Sequence, residues 1–148
     1  MTGGKLLGID HGLVRIGLAV SDASRLVARE LTIIERGTRQ EDFERINRLA
    51  RQESVVGVVV GIPSDLDATP DEHTQADTVR RWVERYRATT QLPIVLWDEH
   101  LTSEDAKALA RQQKRRFRQP IDDLAARLIL QSYLDALRDG MAPAIDGE

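Results

Sequence analysis

From Val55 to Pro63 the chain reads VVGVVVGIP, nine residues without a polar side chain. A strand with one wet face alternates apolar and polar residues. A run of strand length with no alternation therefore belongs in a sheet covered on both faces, the setting of a parallel strand between helical layers. The flanking sequence supplies neighbours for it. Lys5 to Asp10 (KLLGID) is a short apolar strand, and after the His11-Gly12 turn Val14, Ile16, Leu18 and Val20 alternate with Arg15, Gly17, Ala19 and Ser21. These two strands run antiparallel. Leu31 to Glu35 makes a third strand, and Pro93 to Trp97 a fifth after the central run. Phe43, Ile46, Leu49 and Ala50 recur at helical spacing between Gln40 and Glu53, and Ala76, Val79, Val83 and Tyr86 do so again. Thr102 or Ser103 caps a short helix beginning at Glu104. The last helix spans Asp122 to Arg138, with Pro120 before it and Gly140 to stop it.

Crossovers of the strand-helix-strand kind occur only in the second half of this order. The expectation is an α/β fold with a mixed five-stranded sheet, order 3-2-1-4-5 and strand 2 antiparallel, flanked by helices. A length of 148 residues fits one domain, 1–148, with an ordered core of about 5–139 and a frayed tail. Apolar residues at 41% and charged residues at 30% exclude a disordered tail protein or a collagen-like rod. No apolar stretch approaches the ~18 residues of a membrane span, and Met1 to Lys5 lacks the pattern of a secretory signal. The absence of cysteine removes disulfides, thiolate metal sites and cysteine nucleophiles. A cytoplasmic location is expected.

Ligands of a parallel α/β sheet collect outside the carboxyl ends of its strands. That rule selects Asp10 after the first strand, Asp98 and Glu99 after the fifth, and the loop after Gly61. Asp122, at the start of the last helix, shares a face with Ala125, Ala126 and Ile129, whereas Asp123 lines up with Arg127 and is expected to pair with it. Carboxylates at the ends of apolar strands are costly unless a cation or hydrogen bond meets them. Three converging carboxylates form a hard, all-oxygen site that prefers Mg2+ or Mn2+ to zinc. Each acid also has a plainer role open to it: a turn cap for Asp10, a helix cap for Asp122, a surface charge for Glu99.

Net charge is only −3, yet 18 of the 21 basic residues are arginine, and five of the eight positions from Arg111 to Arg118 are basic. Arg111, Lys114, Arg115, Arg116 and Arg118 form either a solvated loop or a phosphate-binding patch. Trp82 and Trp97 are expected in or near the core. His73 reads as a solvated loop residue.

Four segments, GIDHGLVRIGLAVSD (Gly8 to Asp22), VVVGIP (Val58 to Pro63), DEHLTSEDA (Asp98 to Ala106) and IDDLAARLILQSYL (Ile121 to Leu134), resemble in order and spacing the YqgF family. Its members are known as pre-16S rRNA nucleases and, by an older label, as Holliday junction resolvase-like proteins. The resemblance runs from Leu6 to Leu137. It implies a ribonuclease H-like fold and a metal-dependent nuclease that trims the ribosomal RNA precursor. Asp10, Glu99 and Asp122 would be its catalytic, metal-binding acids, the first two among those that the strand-end rule selects and the third the acid on the packing face of the last helix. Arg15 matches a position suited to phosphate contact, and Asp22 one that supports the region of strands 1 and 2. Where the family usually reads D-E-R, this chain has Asp98-Glu99-His100, a titrating cation for a permanent one, so substrate affinity is expected to depend on pH. In the loop after Pro63, Asp67-Ala68-Thr69 stand where a glycine is frequent.

The nucleic-acid contacts are thus expected at Arg15, His100, Arg111, Lys114, Arg115, Arg116 and Arg118. The expected partner is RNA, or a DNA junction, bound by a monomer or homodimer without a membrane. A junction resolvase needs two sites on a two-fold dimer. A non-catalytic nucleic-acid-binding module is the alternative from another class. An actin-like phosphotransferase, which binds nucleotide between two such domains, does not fit a chain of 148 residues.

Overall fold

A computed structural model describes residues 3–63, 74–98 and 122–145, with backbone alone at positions 122 and 123. Its five strands are β1 (Lys5–His11), β2 (Arg15–Ser21), β3 (Ala28–Glu35), β4 (Val55–Ile62) and β5 (Ile94–Asp98). Its described helices are α1 (Arg39–Glu53), α2 (Gln75–Arg87) and α3 (Asp122–Arg138). The sheet order is β3-β2-β1-β4-β5, with β2 antiparallel to both neighbours and β4 parallel to β1 and β5. This is the expected mixed sheet. The loop 64–73 with His73, and the short helix expected from Glu104, lie outside the described residues.

Alternation along β1 divides the interior in two. Leu7 and Ile9 join Ile16, Leu18, Val58 and Val60 on one face, against Phe43 and Ile46 of α1 and Val79, Trp82, Val83 and Tyr86 of α2. Leu6 joins Ala19 and Val59 on the other, against Ala126, Ile129, Leu130, Tyr133 and Leu134 of α3. Burying one such aliphatic side chain contributes about 1.5–3 kcal/mol, and β4 contributes to both layers. That double duty is why its sequence carries no alternation.

Local chemistry sets the helix ends. Thr38 and Glu41 form a reciprocal capping box at α1, and Thr74 and Asp77 do the same at α2. Gly140, at φ +73°, ends α3, with its N–H on the Leu137 carbonyl and the Met141 N–H on that of Ala136.

Two boundaries differ from expectation. β3 begins at Ala28 rather than Leu31, because the Ala28 N–H donates to Gln131 Oε1 of α3 and Arg29 and Glu30 pair with Val20 and Ala19. Their charges suit an edge strand and hide it from a hydrophobic pattern. The tail expected to fray after residue 139 brings Ile145 back into the α3 layer, 4% exposed, beside Gly57 and Leu6.

Candidate active site

Gly8 sets the spacing between α3 and the sheet. A Cβ there would stand 2.8 Å from Leu130 Cβ and 3.2 Å from the Ala126 carbonyl oxygen, so only glycine admits the helix this closely. The helix direction follows from contacts along its side. Gln131 bonds Ala28, which pairs with Ser21 beside Leu6, while Arg127 meets Glu30, which pairs with Ala19 opposite Gly8. Moving toward the start of α3 therefore moves toward the carboxyl end of β1. Asp10 lies two residues, ~6.6 Å, beyond Gly8 on the same face. Position 122 lies four residues, ~6 Å, before Ala126 on the same helical stripe. The two steps match, and the start of α3 comes level with Asp10 at the edge where β4 and β5 also end, with Ile62 and Asp98 paired.

Asp10 is half-buried and paired with Gly17, which adds no side chain of its own. Ala125, Ala126 and Ile129 are buried, as their shared face requires. Arg127, expected to meet Asp123, lies 3.7 Å from Glu30; the Asp123 side chain lies outside the described residues. Arg15 occupies the Asp10 face one strand away, with Nε 2.9 Å from Glu35 Oε2 across the β2-β3 pair. Asp22 accepts from Ser24 Oγ and from the N–H groups of Val27 and Leu26, which lowers its pKa and holds the β2-β3 turn. Its support thus reaches one connection further than the strand 1 and 2 region expected for it. Asp98 ends β5 exposed to solvent. Glu99, His100, Arg111, Lys114, Arg115, Arg116 and Arg118 lie outside the described residues. Among the described residues no three acids or histidines form a cluster that could hold a metal ion. Asp10, a half-buried carboxylate at a strand end beside the start of a helix, fits a hard divalent ion by donor type and place.

His11 faces the opposite way. Its ring is buried 4.7 Å from that of Trp82, and burial, reinforced by the Arg36 charge, pushes its pKa down to about 4. It lines a cleft with Trp82, Thr78, Arg36, Arg39, Arg81 and Arg85. The sequence reading passed over these arginines. Their one linear signal is the spacing Thr78, Arg81, Arg85, which stacks them on one face of α2. Trp97, by contrast, packs edge-on to Tyr133 and donates from Nε1 to Ser132 Oγ at 3.0 Å, half-buried in the α3 layer.

The profile of the RuvX family, described as Holliday junction resolvase, matches residues 4–136. The chain belongs to the RuvX family. Two relatives carry the name "Putative pre-16S rRNA nuclease". That of Thermoanaerobacter pseudethanolicus is 36% identical over 91% of this chain and 99% of its own length. That of Syntrophus aciditrophicus is 38% identical over 95% of this chain and 94% of its own. Among solved structures, Thermus thermophilus RuvC in complex with a Holliday junction substrate superposes with a TM-score of 0.63 at 16% identity, covering 93% of this chain and 98% of that one. The fowlpox virus Holliday junction resolvase superposes at 0.52 and 10% identity, over 90% of this chain and 99% of that one. These likenesses establish a RuvC-like, ribonuclease H-like fold for this RuvX chain. The matched span contains all three acids of the sequence motifs.

Proposed function

We propose that this RuvX chain is a metal-dependent nuclease that hydrolyses phosphodiester bonds of RNA, its substrate being the end of a 16S rRNA precursor. The observation that carries this reading is the register of α3 on β1, which brings the start of the Asp122 helix level with Asp10. Family membership and the names of the relatives support it. In this reading Asp10, Glu99 and Asp122 hold magnesium or manganese. Divalent ions bound there would supply charge stabilisation at the scissile phosphate and a more acidic attacking water. The three carboxylates fix where that charge sits and bind nothing soft. Arg15 and His100, with Arg111, Lys114, Arg115, Arg116 and Arg118, hold the phosphates of the strand. The enzyme works in the cytoplasm, as a monomer or homodimer.

A junction-cutting DNA endonuclease is the second reading, favoured by the description of the RuvX family. It would use the same acids in a two-fold pair of sites. End-labelled single-stranded RNA, single-stranded DNA and a four-way junction, each incubated with magnesium, manganese or EDTA, separate the readings. RNA cleavage that EDTA abolishes is expected. Symmetrical cutting of the junction with RNA intact would replace RNA by DNA, and no metal-dependent cleavage of any substrate would overturn the nuclease.

A further inference from the structure

The cleft on the α1-α2 side of the sheet belongs to no part of the acidic site. Its volume is about 270 Å³, just below the ~300–1,000 Å³ of drug-sized ligand pockets and suited to a phosphate with its sugar. His11 and Trp82 form its floor, 6% and 3% exposed, with the His11 ring nitrogens and Trp82 Nε1 closed off beneath the surface. The walls give its sign. Arg36 is engaged with Asp42 at 3.8 Å and with the Gly12 carbonyl at 3.1 Å. Among the described residues Arg39, Arg81 and Arg85 make no ion pair. Arg81 and Arg85 stand four apart on α2, a like-charge spacing that disfavours the helix, and Arg39 opens α1, where a cation opposes the helix dipole. An anion would relieve both.

Resting on the nuclease reading, we propose that this cleft binds a phosphate of the nucleic-acid strand, on the far side of the sheet from the cutting site. His11 and Asp10 are consecutive on β1 and face opposite sides, so a strand leaving Asp10 passes over the carboxyl edge of β1 to reach the arginines. One phosphate is gripped there by Arg39, Arg81 and Arg85.

The test is binding of a labelled single-stranded oligonucleotide in EDTA, measured against salt concentration. It is paired with titration by inorganic phosphate in a Trp97→Phe background, where Trp82 is the sole indole. The double variant Arg81→Gln/Arg85→Gln is expected to weaken oligonucleotide binding about ten- to hundredfold. Its salt slope should fall by about 0.7, the counterion release of one phosphate contact. Phosphate should change Trp82 fluorescence saturably, and the double variant should lose that response. Arg81→Lys/Arg85→Lys should keep the slope, and Arg48→Gln/Arg87→Gln should leave both slope and affinity unchanged. Thermal unfolding of the Gln variant confirms that it folds. An unchanged slope and affinity in that variant, with metal-dependent cleavage intact, overturns the cleft and leaves the nuclease standing. A saturable phosphate response in a protein that binds no oligonucleotide supports the anion site and contradicts the nuclease.

Discussion

Glu53 ties three elements together at the edge of the sheet remote from Asp10. Its Oε1 accepts from Lys5 Nζ at the start of β1, 2.9 Å away, and from Arg29 on β3, 3.1 Å away, while its own residue ends α1. The Lys5 hydrogen bond, with help from Arg29, holds its pKa below the ordinary carboxylate value. A folded-state pKa below the unfolded one means stability that is fully present above about pH 4.5 and lost as pH falls through the folded value. Glu53→Gln is therefore expected to lower stability at pH 7 by about 0.5 kcal/mol, the scale of a partly exposed pair, and to flatten the acid limb. Urea unfolding between pH 3 and 7 measures both, and parallel acid limbs for the two proteins would contradict the assignment. Nothing in the sequence announces such a residue, because its partners are 48 and 24 positions away. The same holds for Arg15, whose partner Glu35 is known only once β2 and β3 are in register.

Among the elements, α3 carries Asp122 of the proposed site, and Gly8 sets how closely α3 packs on β1. Gly8→Ala adds a methyl into the 2.8 Å gap to Leu130 Cβ and against the Ala126 backbone, neither of which is a flexible side-chain end. Overpacking of this kind costs about 1–3 kcal/mol. It should also lift the start of the helix away from β1, so cleavage should fall more than the unfolded fraction accounts for. Denaturant unfolding and a metal-dependent cleavage rate on the same preparation separate the two effects. Wild-type stability and rate in Gly8→Ala would show that the helix does not need this approach. The long periodic elements, α1, α2 and α3, could be read from apolar spacing because each buries one continuous stripe. The start of β3 could not, since Arg29 and Glu30 are edge residues whose pairing is decided by β2 and by Gln131.

For the molecule as a whole, the sheet order was legible because the apolar run at β4 demands two covered faces and the β1-β2 alternation demands an antiparallel neighbour. The candidate site was legible in part. Asp10 stands out as an acid ending an apolar strand, and Asp122 as an acid on the packing stripe of a helix. The arginine cleft was not, because its arginines come from the β3-α1 connection, from the start of α1 and from α2, and meet only when both helices pack on one face of the sheet. The central claim is that acids brought together at the carboxyl edge of β1 cut the strand. It is tested most directly by the magnesium-dependent cleavage rate of end-labelled RNA with Asp10→Asn, Asp122→Asn and Asp123→Asn, each checked for an unchanged melting temperature. Each replaces a carboxylate by a side chain of nearly equal volume. The account predicts a loss of about a hundredfold or more for Asp10→Asn and Asp122→Asn, the scale of removing several kcal/mol of charge stabilisation, and little change for Asp123→Asn. Full activity in Asp10→Asn or Asp122→Asn, or abolition by Asp123→Asn alone, would contradict it.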